Sequence, residues 1–245
     1  MLIRNDFIKE KQIRKVDMIK VILWDLDATL LDFGQAEAYA IRKCFEIFDM
    51  GECTDSMLER YSAINKTYWE RLEREEITKQ ELLPGRFREF FGKEGLNTEN
   101  VEAFNHEYQL RLGDKAFFCE NGYETVSALK GKVKQYAVTN GTLIAQERKL
   151  KNSGLDELLD GAFISDQMGV EKPGIAFFDQ VFASIGNYQK DEIMIVGDSL
   201  TSDILGGNRA GICCCWYNPM HKENNLNLKV DYEITDLQQV MELLM

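Results

Sequence analysis

Asp25 and Asp27 close the apolar run Ile19 to Trp24, in the stretch Asp25-Leu26-Asp27-Ala28-Thr29. On a strand, residues two apart point the same way, so both carboxylates can face one crevice where the chain leaves a sheet. The same pattern is also compatible with a solvated turn, and D-x-D-x-T by itself separates the two readings weakly. A second apolar run, Gln135 to Val138, delivers Thr139-Asn140-Gly141 at its end. A hydroxyl followed by amides in a tight turn can grip phosphate oxygens, although Thr-Asn-Gly also forms ordinary turns.

Lys172 stands in Val170-Glu171-Lys172-Pro173-Gly174, just before a helix with proline close to its start. There a lysine is either surface charge or a fixed ammonium that neutralises a phosphoryl group and holds down the pKa of a nearby carboxylate. The fourth element is Ile193 to Gly197 followed by Asp198-Ser199, with Asp203 in the next turn. A carboxylate at that strand end can complete a magnesium site, because the ion prefers hard oxygen ligands and keeps several waters. An Asp-Ser helix cap explains Asp198 equally well but gives no reason for Asp203. The set is ordered as acidic pair, hydroxyl, lysine, acid, and all but the lysine end an apolar run directly. Open parallel sheets bind ligands at the carboxyl ends of their strands, which is where these groups fall.

The elements that must position them follow from periodicity. Ile19 to Asp25, Lys134 to Thr139, Ala162 to Ser165, Glu192 to Gly197 and Ile212 to Tyr217 read as buried strands. Between the later ones, Gly122 to Lys130, Thr142 to Asn152, Gly174 to Ile185 and Leu200 to Ala210 show apolar spacing near 3.6. Gly131, Gly154, Gly186 and Gly211 follow as C-terminal stops. Alternation of this kind predicts an α/β fold with a parallel sheet. The block from about Gly34 to Lys115 carries no convincing strand and predicts successive amphipathic helices. Thr54, the capping-box run Thr78-Lys79-Gln80-Glu81, and Asn97 or Thr98 supply helix starts. Placed after the first strand, the block is expected to cap the carboxyl ends of the strands.

Composition narrows the chemistry. The 245 residues are 44% hydrophobic and 29% charged, with three prolines, which predicts a soluble, ordered protein without a membrane partner. A formal charge of -12 argues against nucleic acid. It leaves a small phosphorylated metabolite possible where local lysine or a divalent cation offsets the charge. Six cysteines without a CxxC pair indicate neither zinc nor a disulfide framework, and a cytoplasmic setting is expected. Cys213-Cys214-Cys215 reads as buried strand. Residues 1–17 lack the apolar core of an export signal and read as an N-terminal extension.

Asp25-Leu26-Asp27-Ala28-Thr29, Thr139, Lys172, and Gly197-Asp198-Ser199 with Asp203 together resemble the four motifs of the haloacid dehalogenase (HAD) superfamily, from about Ile19 to the C-terminus. The resemblance implies a Rossmann-like core, 18–33 and 116–245, with an inserted all-helical C1-type cap, 34–115. Ala28 departs from the pattern, since many members have glycine or asparagine there. The metal-free dehalogenase branch lacks the second aspartate, so Asp27 favours phosphoryl transfer. Trp24 to Phe33, Arg86-Phe87, Thr139-Asn140-Gly141 and Trp216-Tyr217-Asn218-Pro219 are most similar to the pyrimidine 5'-nucleotidases. The substrate this implies is a nucleoside monophosphate. Tyr68, Trp69 and Phe91 could stack a base, though aromatics at helical spacing more often build core.

By this resemblance Asp25 is the nucleophile that forms an aspartyl phosphate, and Asp27 protonates the leaving alkoxide and then activates water. Magnesium is expected on Asp25, the Asp27 carbonyl and Asp198, with Asp203 in the outer shell. Thr139, the Asn140 amide and Lys172 are expected to bind phosphate. Rival readings are a phosphosugar phosphatase or a phosphoglucomutase-like enzyme sharing the core site, a phospho-aspartate signalling protein, and a non-catalytic relative kept for interaction.

Overall fold

β1 (Val21–Trp24) is buried at every position, as an unbroken apolar run requires in a parallel sheet whose two faces are both covered. The computed structural model that contains it describes residues 19–244. The extension expected over 1–17, together with Met18, lies outside the described residues. After β1 the chain forms α1 (Phe33–Ile47), α2 (Asp55–Glu73), α3 (Lys79–Glu94) and α4 (Val101–Leu112). It then alternates through α5 (Gly122–Leu129), β2 (Lys134–Thr139), α6 (Leu143–Ser153), β3 (Gly161–Ile164) and α7 (Ile175–Ile185). The last elements are β4 (Ile193–Gly197), a π turn at Leu200–Ile204 running into α8 (Leu205–Ala210), β5 (Cys213–Tyr217), β6 (Tyr232–Ile234) and α9 (Gln239–Leu243).

The six strands pair in the order β3-β2-β1-β4-β5-β6, all parallel. β1 has β2 on one side and β4 on the other, with Trp24 level with both Ala137 and Val196. The carboxyl ends of three adjacent strands therefore finish together, at the point where the connections leave in opposite directions. β6 has no counterpart in the sequence reading. It is a three-residue edge strand, and only Ile234 of its residues is buried, too brief a signal for periodicity to detect. The cysteine run lies in β5, fully buried, and none of the six cysteines forms a disulfide.

The described residues divide into two compact units. One holds the sheet and comprises the chain to Leu31, Phe118–Gly141 and everything from Gly154. The other is helical and comprises Asp32–Phe117 and Thr142–Ser153. Chain order had assigned 116–245 to the sheet core as one piece, but α6 packs with α4 instead. Arg148 Nε donates to the Leu110 carbonyl at 3.1 Å and Asn152 Nδ2 to the Gly113 carbonyl at 2.6 Å. Gly113 allows the approach, since a Cβ there would lie 2.3 Å from Arg148 Cβ.

Within the helical unit the expected helix starts form: Thr54 accepts from the Met57 amide, and Thr78 with Glu81 closes a reciprocal capping box. The interior is aromatic. Tyr61 stacks on Phe87 at 5.0 Å, and Phe91 meets Phe104 edge-on at 4.9 Å. Phe91 is thereby core, whereas Tyr68 and Trp69 remain half-buried. No helix among the described residues is long and apolar enough to cross a membrane.

In the sheet unit α8 lies close against the strands because Gly207 has no side chain. A Cβ there would stand 2.6 Å from Cys214 Sγ and 2.7 Å from Ile195 Cγ2, and both residues are buried in strands with no room to yield. Gly207→Ala is expected to lower unfolding stability by about 1–3 kcal/mol, the range for overpacked cores, measurable by urea denaturation.

Candidate active site

Asp25 follows β1 and extends its pairing, donating its backbone N–H to the Val196 carbonyl at 2.9 Å. The loop after it folds back sharply, with the Leu31 amide on the Leu26 carbonyl and the Ala28 amide on the Leu31 carbonyl. Ala28 has φ +67°, which explains why glycine or asparagine suits this position better: the left-handed region crowds a Cβ. The turn carries Asp27 past the strand end and returns Thr29 beneath Asp25.

Thr29 is fully buried and ties two aspartates together. Its hydroxyl donates to Asp25 Oδ2 at 3.0 Å and accepts from the Asp198 amide at 3.1 Å. Asp198 is held from its other side by Trp216, whose indole N–H donates to the Asp198 carbonyl at 2.9 Å. The helix-cap alternative for Asp198 does not hold, because Ser199 is the cap and accepts from the Ser202 amide. Asp198 is left with its carboxylate facing the strand ends.

Lys172 is 2% exposed, and its ammonium makes three bonds of 2.7 Å, to Asp25 Oδ1, Asp203 Oδ1 and the Val138 carbonyl. All three protons are engaged, so its desolvation is compensated. Asn140 fixes the lysine's backbone, donating from Nδ2 to the Lys172 carbonyl at 2.8 Å and accepting at Oδ1 from the Lys172 amide at 2.9 Å. The Asn140 side chain is thus committed to Lys172, which leaves only its backbone amide for phosphate. Thr139 lies buried at the end of β2 with its hydroxyl accepting from the Gly141 amide at 3.1 Å. Asp203, 1% exposed, accepts from Lys172 and from the Ser199 amide. Gly197 makes room for it, since a Cβ there would come within 2.2 Å of Asp203 Cγ.

Asp25, Asp198 and Asp203 can each present one oxygen within 4.8 Å of the others. Three carboxylates around one buried ammonium leave an excess of two negative charges, which suits a divalent cation and hard oxygen donors suit magnesium. Both oxygens of Asp203 serve Lys172 and Ser199, and both of Asp25 serve Lys172 and Thr29, so either would meet a metal with its remaining lone pairs, beside Asp198. The uncompensated charge and the burial bear on the ionisation of the site. Burial, and then the Asp203 carboxylate, push Asp25 up to about 7 against the pull of Lys172. Asp198 is raised by burial, then by Asp25 and Asp203. Burial opposes the Lys172 charge, yet Asp203 and Asp25 raise it above the ordinary lysine value. The directions agree physically: one cation shared by two carboxylates stays charged itself, while burial and the neighbouring carboxylate raise Asp25.

Of the residues singled out in the sequence, Asp25, Asp27, Thr139, Asn140, Asp198 and Asp203 stand at the ends of β1, β2 and β4 or in the turns that follow, and Lys172 reaches them from the loop before α7. The roles of Thr29 and Trp216 were not read. Thr29 stands in the acidic motif, at a spacing of four from Asp25; Trp216 belongs to the stretch Trp216 to Pro219 that carries the resemblance, but nothing in chain order pairs it with Asp198, which follows β4.

Two measurements test this geometry. Thr29→Val keeps the volume but removes the bridge and leaves a buried Asp198 amide unpaired; a loss of about 1–3 kcal/mol in chemical denaturation is expected. With Asp25 pushed up to about 7 by burial and Asp203, above the ordinary carboxylate range of an unfolded chain, its protonated form favours the fold at low pH. That contribution is lost as pH rises through about 7 in metal-free protein. Magnesium should accordingly raise the melting temperature more at alkaline than at acidic pH.

Comparison with known proteins fits this site. The family described as haloacid dehalogenase-like hydrolase matches residues 19–211. The pyrimidine 5'-nucleotidase PynA of Streptococcus pneumoniae is 33% identical over 226 residues, 92% of this chain and 94% of PynA. The pyrimidine 5'-nucleotidase YjjG of Escherichia coli is 29% identical, covering 91% and 96% of the two chains. The crystal structure of the HAD-hydrolase YfnB of Bacillus subtilis, described as bound to magnesium, superposes with a TM-score of 0.87 at 32% identity, covering 92% of this chain and 98% of YfnB. With its motif residues assembled on a six-stranded parallel sheet, the chain belongs to the haloacid dehalogenase-like hydrolases.

Proposed function

We propose that this hydrolase is a magnesium-dependent phosphatase of small phosphomonoesters and that its substrates are pyrimidine nucleoside monophosphates. The observation that carries the chemistry is the Asp25 carboxylate, gripped on one oxygen by Lys172 and on the other by Thr29, beside Asp198 at the joined ends of β1 and β4. A carboxylate held this way has lost rotational freedom before substrate arrives, which favours in-line attack. Asp25, the Asp27 carbonyl and Asp198 would hold the magnesium ion, whose charge offsets the negative charge of the phosphoryl group.

In the first half-reaction an Asp25 oxygen bonds to phosphorus while the ester P–O bond breaks, and Asp27 gives its proton to the departing alkoxide. In the second, Asp27 takes a proton from water, the hydroxide displaces Asp25 from phosphorus, and inorganic phosphate leaves. Thr139 and the Asn140 backbone amide bind the non-bridging oxygens. Lys172 keeps Asp25 oriented and counters the charge of the site. The nucleotide preference is supported by the similarity to PynA and YjjG along nearly the whole chain. A cytoplasmic location is supported by six cysteines that are all free.

The test is magnesium-dependent phosphate release across pyrimidine and purine nucleoside monophosphates, sugar phosphates and short-chain phosphates. Asp25→Asn should abolish release while the protein stays folded, and Asp27→Asn should slow it by about 10²–10⁴-fold. Turnover retained in Asp25→Asn would remove the mechanism. A preference for sugar phosphates would remove the nucleotidase reading, and an isomerised sugar product would point to mutase chemistry.

A further inference from the structure

The turn after β5 contributes a second lysine to the site. Asn218 is 1% exposed and closes this turn on itself: its Nδ2 donates to the Lys222 carbonyl at 3.0 Å, and its Oδ1 accepts from the Lys222 amide at 2.8 Å. The same Nδ2 donates to Glu233 Oε1 at 2.6 Å, anchoring the turn to β6. The backbone of Lys222 is therefore fixed, while its side chain, 59% exposed, reaches Asp198 with Nζ 3.8 Å from Oδ2. Lys172, by contrast, is bonded to Asp25 and Asp203 and is buried. Each of the two lysines thus faces a different part of the acidic cluster, one sealed within it and one able to leave.

We propose that Lys222 is a resident counter-ion of Asp198 that a divalent cation must displace, so that this lysine weakens metal binding and sets the metal concentration at which the site fills. The inference rests on the reading of Asp198 as a metal ligand. Physically, an ammonium at this distance lowers the cost of an ionised Asp198 in a cluster with excess negative charge. The same positive charge opposes the arrival of a second cation. Because the lysine is largely open to solvent while Asp198 is mostly buried, its influence is modest and falls with salt. Displacement leaves Asp198 to the metal and frees the lysine, which stays tethered at the mouth of the site by Asn218.

The experiment is a magnesium chloride titration of the full chain without substrate, followed by tryptophan fluorescence, because Trp216 is bonded to the Asp198 carbonyl, and in parallel by melting temperature. Lys222→Met is expected to tighten magnesium binding by about two- to fivefold at low salt, the range of exposed ion pairs, with the difference closing at high salt. Lys222→Arg should bind as the parent does. Lys132→Met, at an exposed lysine before the amino end of β2, serves as the charge-matched control and should leave affinity unchanged. Unchanged or weaker binding in Lys222→Met, or equal tightening in Lys132→Met, overturns the counter-ion role. Asp198→Asn separates the two levels: weakened binding there alongside an unaffected Lys222→Met rejects this inference alone, whereas parent-like binding in Asp198→Asn rejects both it and the proposed metal site.

Discussion

The site depends on one buried ammonium. Lys172 is sealed from water, and the three bonds of its Nζ join the ends of β1 and β2 to the turn after β4. A lone charge in that position would be costly, and the same is true of Asp25 and Asp203, so each is tolerable only because the others are present. Several features that look independent serve this arrangement. Asn140 clamps the lysine's backbone, and Gly197 gives Asp203 the space to approach. The Ser199 amide takes the carboxylate oxygen that Lys172 does not.

Charge balance then explains why the arrangement could accept a divalent cation. The buried Lys172 and the exposed Lys222 answer part of the charge of Asp25, Asp198 and Asp203, and burial together with the neighbouring carboxylates raises both Asp25 and Asp198. A cluster with this imbalance is poised toward a divalent cation, and the sheet supplies the rigidity that keeps the carboxylates from relaxing apart. Thr29 and Trp216 extend that rigidity to the main chain, pinning the Asp198 amide and carbonyl from opposite sides.

The helical unit carries a polar network of its own beneath its aromatic core. Glu37 accepts from Ser62 and from Asn65 Nδ2, and Arg86 Nη1 donates to Asn65 Oδ1 at 2.7 Å. The Arg86 guanidinium also lies 5.0 Å over Phe87 and 5.1 Å over Tyr108. A carboxylate and a guanidinium are thus joined through a shared carboxamide, which lets both stay buried among aromatic side chains. Arg86 and Phe87 both take part in this packing, the guanidinium through Asn65 and the ring beneath it.

Strand and helix positions were legible because they follow from local periodicity: β1, β2 and β4 are continuous apolar runs, and Thr78 with Glu81 states a helix start in four residues. The reactive groups were legible for the same reason, since each ends or follows such a run at short range in the chain. Ala28 was legible only as a departure; its left-handed backbone supplies the reason. What sequence could not supply were relations across the chain. The bond from Lys172 to Asp25 spans 147 residues and that from Trp216 joins β5 to the turn after β4, while Lys222 meets Asp198 from a turn with no periodic signal. The grouping of α6 with the helices before it, and the edge strand β6, were likewise decided by packing. The sequence by itself determined which groups are present and on which kind of element. The tertiary structure alone decided how their charges are shared, because Coulomb and hydrogen-bond energies depend on distances in space that chain order does not encode.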